Sequence, residues 1–192
     1  RDGIWLRDIG SGGNGEGQLD EPSGLLISPD GLLWVADTWN RRVSVFNLDG
    51  SPAQRFTRQD GTLSNSFRVR AWLEDLGNRP YLAFDPVRQY LYVTDPDAGR
   101  VLVYNSNGTC IGSFGQLNRE TPGPGEFNSI GGIVVDTVGN IWISDAPTAR
   151  LMLFSPFTLP PDAAGVVPVA PVGVEVTQEL LPEVTPEATA SG

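Results

Sequence analysis

The sequence predicts an all-β chain, with β-propeller blades of four antiparallel strands. Three observations carry that prediction. First, one pattern occurs three times: LLWVADTWNRRVSVFNLDG at 32–50, YLYVTDPDAGRVLVYNSNG at 90–108 and NIWISDAPTARLMLFSPF at 140–157. Each copy has an aromatic three residues before an Asp (Trp34, Tyr92, Trp142) and an Arg five residues after it (Arg42, Arg100, Arg150). An apolar residue comes next (Val43, Val101, Leu151), then an aromatic at the ninth position past the Asp (Phe46, Tyr104, Phe154). Second, the marker acids Asp37, Asp95 and Asp145 lie 58 and 50 residues apart, a period that suits four-stranded blades rather than helical repeats. Third, the runs around each Asp alternate with period two and end in turn residues, as short strands do.

Taken in order, residues 3–9 (Gly-Ile-Trp-Leu-Arg-Asp-Ile) read as an orphan outer strand, and 10–22 as a glycine-rich loop. Strands are expected at 23–28, 32–36, 42–47 and 52–57, with tight reversals at Pro29-Asp30-Gly31 and Leu48-Asp49-Gly50. Residues 51–79 carry the longest insertion, in which 67–72 (Phe-Arg-Val-Arg-Ala-Trp) reads as an extra or displaced outer strand. The second unit opens at Pro80, the counterpart of Pro22, and has strands at 81–85, 90–94, 101–105 and 109–114. A second glycine-rich loop, Gly123-Pro-Gly125-Glu-Phe127, echoes Gly15-Glu-Gly17-Gln-Leu19. The third unit has strands near 132–136, 140–144 and 150–155 and lacks the fourth.

The expected blades are therefore about 22–58, 80–115 and 130–157, within a body of 1–158. The orphan strand 3–9 would complete the third blade or belong to a blade preceding residue 1, because blades bury their apolar faces only against neighbours. The chain has no starting Met and no charged-then-apolar leader, so it is expected to begin inside a repeat. From 159 to 192 proline recurs, aromatics vanish and all charge is negative, the composition of a disordered tail or linker.

Composition narrows the chemistry. All 13 basic residues are Arg, with neither Lys nor His, which removes the commonest general base, the commonest metal ligand and any Schiff-base amine. Net charge is −10, and five of the 23 acids lie beyond residue 158 without a base among them. An acidic body has no general attraction for phosphate backbones, so nucleic acid is not an expected partner. The single Cys110 can form no internal disulfide, and its place on a strand reads as a buried, inert thiol. No run of 18 apolar residues offers a membrane-spanning helix.

The order Gly-x-Gly-x-Leu-x-x-Pro-x-Gly (Gly15, Gly17, Leu19, Pro22, Gly24), then Trp34-Val35-Ala36-Asp37 and Arg42-Val43-x-Val45-Phe46, resembles the NHL repeat. The resemblance covers about residues 3–157, strongest in the first unit and confined in the other two to the strands flanking the Asp. It implies a propeller, commonly of six blades, of which this stretch would supply three. The blocks Asn-Arg-Pro-Tyr and Val-Thr-Asp-Pro (78–81, 93–96) are similar to bacterial membrane proteins that join a polytopic glycosyltransferase-like region to a C-terminal NHL propeller. The NHL family includes protein-binding and RNA-binding propellers and a metal-dependent amidating lyase.

Within this frame the repeated pairs Asp37/Arg42, Asp95/Arg100 and Asp145/Arg150 read as structural braces across the step between the second and third strands, since a catalytic residue need appear only once. The loop at 10–17 lacks the Lys-Ser/Thr and the following helix of a phosphate cradle and reads as a connection between blades. Strand alternation puts the long loops and the steps 38–41, 96–99 and 146–149 on one face, where partner contact is expected from Trp39, Asn40, Arg41 and Asp97. Trp39 stands out because its neighbours Thr38 and Asn40 are polar; Trp5, Trp34, Trp72 and Trp142 read as core. No catalytic residue, metal ligand or cofactor is assigned. The expected function is a binding or scaffolding module for a protein or glycan, extracytoplasmic or at the cell surface, with self-association or further blades closing the ring. Two alternatives stay open: a calcium-dependent lyase- or lactonase-like propeller enzyme, and an RNA-binding module, which the acidic charge disfavours.

Overall fold

The computed structural model describes residues 2–73 and 79–159. Its body is three antiparallel sheets in chain order, each formed by neighbouring segments, as propeller blades are. Blade 1 consists of β1 (Pro22–Ile27), β2 (Leu32–Asp37), β3 (Arg42–Asn47) and β4 (Ser66–Arg68). Blade 2 has β5 (Leu82–Asp85), β6 (Tyr90–Asp95), β7 (Arg100–Tyr104) and β8 (Cys110–Phe114). Blade 3 has β9 (Ile130–Val135), β10 (Ile141–Asp145) and β11 (Arg150–Phe154), with no fourth strand among the described residues. The only helical turn among them is a single 3-10 turn at Ala146–Thr148, so no described helix is long and apolar enough to cross a membrane.

The step after the second strand is the same turn in every blade. Asp37, Asp95 and Asp145 each pair across the ladder with the Arg five residues on. The four-residue loop between them closes by an N–H to C=O bond from Arg41 to Thr38, Gly99 to Pro96 and Ala149 to Ala146. Its last residue is left-handed throughout, with φ of 51° at Arg41, 56° at Gly99 and 52° at Ala149. Only blade 2 places there the residue that accepts this conformation without steric cost.

Packing follows the pleat. On β6 the alternate residues Leu91 and Val93 join Trp34, Ala36, Val43 and Val45 of blade 1 in one core. Tyr90 and Tyr92 point the other way, into a core with Ile133, Ile141 and Ile143 of blade 3. Blade 2 is therefore buried on both faces, which explains why all six residues of β6 are buried. Each such apolar side chain contributes about 1.5–3 kcal/mol on burial. The innermost strands lie close together: a Cβ on Gly24 of β1 would meet the Pro80 carbonyl oxygen at 2.6 Å, so that strand approach requires glycine.

Four expectations are corrected. Residues 3–9 form no strand, since an extended segment becomes one only through ladder bonds and no described strand lies beside it; Trp5 is 73% exposed there. The outer strand of blade 1 is not 52–57, so the blade does not end near 58. Pro52 and Ala53 begin the pairing with β3, through a Phe46–Pro52 bridge and a bond from Ala53 N–H to Val45 O. The chain then leaves as a hairpin (Phe56–Thr57 with Leu63–Ser64) and returns as β4 opposite Arg42–Ser44. Cys110 is exposed, because it starts the outermost strand of blade 2, and Trp142 is 40% exposed on the face of blade 3 that meets no other described sheet. The expected tail falls, from residue 160, outside the described residues.

Candidate functional site

The three repeated couples are formed, and each acid is buried. Arg42 Nε donates to Asp37 Oδ2 at 2.6 Å, Arg100 Nε to Asp95 Oδ2 at 2.9 Å, and Arg150 Nη2 to Asp145 Oδ2 at 3.2 Å. Their surroundings differ in a way the repeat pattern does not announce. Asp37 also accepts the Asp20 N–H at 2.6 Å and the Asn40 amide at 3.0 and 2.9 Å. Asp145 accepts the N–H groups of Asn128 (3.1 Å) and Ser129 (2.9 Å). Burial pushes the Asp145 carboxyl up, but those two backbone N–H groups, with Arg150, outweigh it and hold the group below the ordinary carboxylate range. Asp95 Oδ1 has no hydrogen-bond partner; the position matching Asp20 is 78, outside the described residues.

The guanidinium groups repeat the contrast. Arg42 donates to the carbonyls of Asn14 (2.9 Å), Gly15 (3.0 Å) and Gln18 (2.8 Å), which lie 28, 27 and 24 residues earlier. Arg150 donates to Pro122 (3.1 Å), Gly123 (3.4 Å) and Glu126 (2.6 Å), at the same three offsets of 28, 27 and 24. The two glycine-rich loops are thus caps: their backbones wrap an arginine and draw the long connection over the turn of its blade. A short parallel ladder shapes each, Ser11–Gly12 with Gln18–Leu19 and Gln116–Leu117 with Glu126–Phe127. Among the described residues Arg100 has no such cap. At the corresponding positions stand Trp72, Leu73 and residue 76, the last outside the described residues, and Arg100 bonds only Asp95 among those described.

Because loops and turns share hydrogen bonds, they occupy one face, and that face is open on blade 1. A polar groove of about 460 Å³ there is lined by Trp39, Asn40, Arg41, Arg58, Ser64 and Arg68, among others. A second, of about 500 Å³, adjoins it at Arg68 and continues past Arg70 and Arg100 to Leu102, Tyr104 and Cys110. Trp39, Asn40 and Arg41, three of the residues expected to meet a partner, line the first groove; Asp97 lines neither. Trp39 is half-buried, its indole nitrogen enclosed without an acceptor. Sequence reasoning missed Arg58, Arg68 and Arg70. The signal was the alternation at 67–70, where Val69 is buried while Arg68 and Arg70 on either side are exposed. Among the described residues no group of three His, Cys, Asp or Glu side chains is placed to hold a metal ion.

The Gly15-to-Phe46 order, the capped arginine and the four-stranded sheet converge on one motif, and the family model for the NHL repeat matches residues 19–46. Residues 19–46 match the NHL repeat. Among curated relatives, Protein brain tumor of Drosophila melanogaster is 26% identical over 154 residues, covering 79% of this chain and 13% of its own length. The B-box type zinc finger protein ncl-1 of Caenorhabditis elegans is 29% identical over 155 residues, covering 80% and 16%. The chain thus spans under a fifth of either relative. Among solved structures, virginiamycin B lyase from Staphylococcus aureus is similar at TM-score 0.41 and 15% identity, covering 69% of this chain and 40% of that one. A protein of unknown function from Bacteroides thetaiotaomicron is similar at TM-score 0.46 and 23% identity, covering 65% and 30%.

Proposed function

We propose that this chain is a non-catalytic binding module of the NHL-propeller type, engaging a protein or glycan partner through the face that carries the loop caps and the turns after Asp37, Asp95 and Asp145. The reading extends to a larger extracytoplasmic or cell-surface protein, which the proline-rich, wholly acidic composition after residue 158 supports. A propeller closes with about four to eight blades, so further blades, of the same polypeptide or of a second copy, complete the ring.

The observation that supports binding over catalysis is the fate of the repeated acids. Each is buried and engaged by the arginine of its own blade, and two also hold backbone N–H groups of their loops. What the same face leaves open is a polar groove beside a half-buried Trp, the usual composition of a recognition surface. The test is capture of partners from the native source by immobilised chain, comparing Trp39→Ala with Asn107→Ala in the turn between β7 and β8. A partner lost with the first change and kept with the second supports the reading. A partner indifferent to Trp39, or lost with Asn107, refutes it. Melting with calcium and with EDTA tests the enzymatic alternative: stabilisation by calcium of many degrees would favour it.

A further inference from the structure

We infer that the two adjoining grooves, one on blade 1 and the next between blades 1 and 2, are a binding site for an extended acidic peptide in which carboxylates flank an apolar side chain. The inference deepens the binding-module reading and rests on it. Its starting point is the missing cap. In blades 1 and 3 the arginine after the marker Asp gives its terminal nitrogens to three loop carbonyls at fixed offsets. In blade 2 the sequence at the corresponding offsets belongs to the insertion at 51–79 and is not glycine-rich. Arg100 keeps only its bond from Nε to Asp95 among the described residues, and its side chain is 40% exposed. Its terminal nitrogens have no acceptor among the described residues, in a position that twice elsewhere in this chain binds oxygen. A ligand oxygen can take the place of the absent carbonyls.

The neighbours of Arg100 set the ligand's chemistry. The side chains of Arg68 and Arg70 make no hydrogen bond or ion pair with any described residue, and Arg58 donates to the hydroxyls of Thr62 (3.4 Å) and Ser64 (3.1 Å), with Asp60 the acid in its field. In a chain of net charge −10, these cations converge on two adjoining grooves. Guanidinium groups lacking a carboxylate of their own favour one from a partner, and bidentate pairing suits their planar fork. The first groove adds hydroxyls and amides from Ser64, Ser66, Asn14 and Asn40; the second adds apolar walls from Ala71, Leu102 and Tyr104. A peptide laid across both would set acids against the arginines and an apolar side chain against Leu102 and Tyr104. The positive charge is local in a chain whose net charge is −10, so a short acidic segment fits where a long polyanion would be repelled beyond the patch.

The test is fluorescence anisotropy of the full chain with a labelled hexapeptide of alternating glutamate and phenylalanine. Three further probes accompany it: the matching glutamine peptide, a single-stranded RNA oligonucleotide and inorganic phosphate as competitor. The glutamate peptide should bind in a salt-sensitive way and the glutamine peptide should not. Arg68→Glu with Arg70→Glu should weaken binding at least about tenfold, while Arg119→Glu, a charge reversal outside the grooves, should leave it unchanged. Circular dichroism of each variant establishes that it is folded. Absence of peptide binding, binding untouched by the double change, or binding of RNA or phosphate in place of peptide would overturn the inference. Partner capture that depends on Trp39, found together with any of those results, would leave the binding-module reading standing and remove only the acidic-peptide assignment.

Discussion

Asp37→Ala and Asp95→Ala remove the same element of the repeat from neighbouring blades, yet they should differ in cost by about 2 kcal/mol. Asp37 is buried and its carboxylate receives Arg42, the Asn40 amide and the Asp20 N–H, all within 3.0 Å. Truncation leaves those donors facing a cavity. Losing a charged partner from a buried network costs about 3–5 kcal/mol, and Arg42 keeps three loop carbonyls, so the lower end, about 3 kcal/mol, applies. Asp95 is just as buried but receives one guanidinium bond among the described residues, from an arginine whose side chain is 40% exposed. Solvent takes over for Arg100 after truncation, so the cost falls to about 1 kcal/mol. Urea unfolding of both variants against wild type, followed by far-ultraviolet circular dichroism and by tryptophan fluorescence, measures the difference. With a slope of about 2 kcal/mol/M, the midpoints should fall by about 1.5 M and about 0.5 M. Equal shifts, or a larger one for Asp95→Ala, would refute the claim that loop capping rather than the ion pair itself sets the strength of each brace.

Three other outcomes are expected. Ala149 sits exposed in the left-handed region at φ 52°, so Ala149→Gly should raise stability by up to about 1 kcal/mol; a loss on urea unfolding would contradict the turn geometry. The Asp145 carboxyl titrates below its ordinary 3.8 in the folded chain, so its contribution is complete above that value and is lost as pH falls through the lower folded value. The stability gap between wild type and Asp145→Asn should accordingly be constant near neutrality and close on acidification to about pH 2; a gap that widens in acid would reverse the sign of the shift. Cys110 is exposed, so a disulfide exchange reagent should label the native chain stoichiometrically without denaturant, and a need for urea would place the thiol in the interior.

How far the sequence reached, and where it stopped, follows from the range of the forces involved. Strand period, turn residues and the five-residue step from Asp to Arg are local, and they determined the strands flanking Asp37, Asp95 and Asp145 and the register of the couples. Other features were decided by which segments meet in space. The outer strand of blade 1 resumes at Ser66 after a hairpin excursion, because β3 pairs equally well with a strand assembled from two separated pieces. Trp34 and Trp142 occupy the same place in the repeat, but one is buried by blade 2 and the other faces no described sheet. The arginines diverge for the same reason. Arg42, Arg100 and Arg150 hold the same place in the repeat, but a glycine loop folds over the first and third, and only tertiary structure shows that Arg100 shares a groove with Arg68 and Arg70. Pattern fixes what each strand offers; the chain's path between blades fixes what is left unmet.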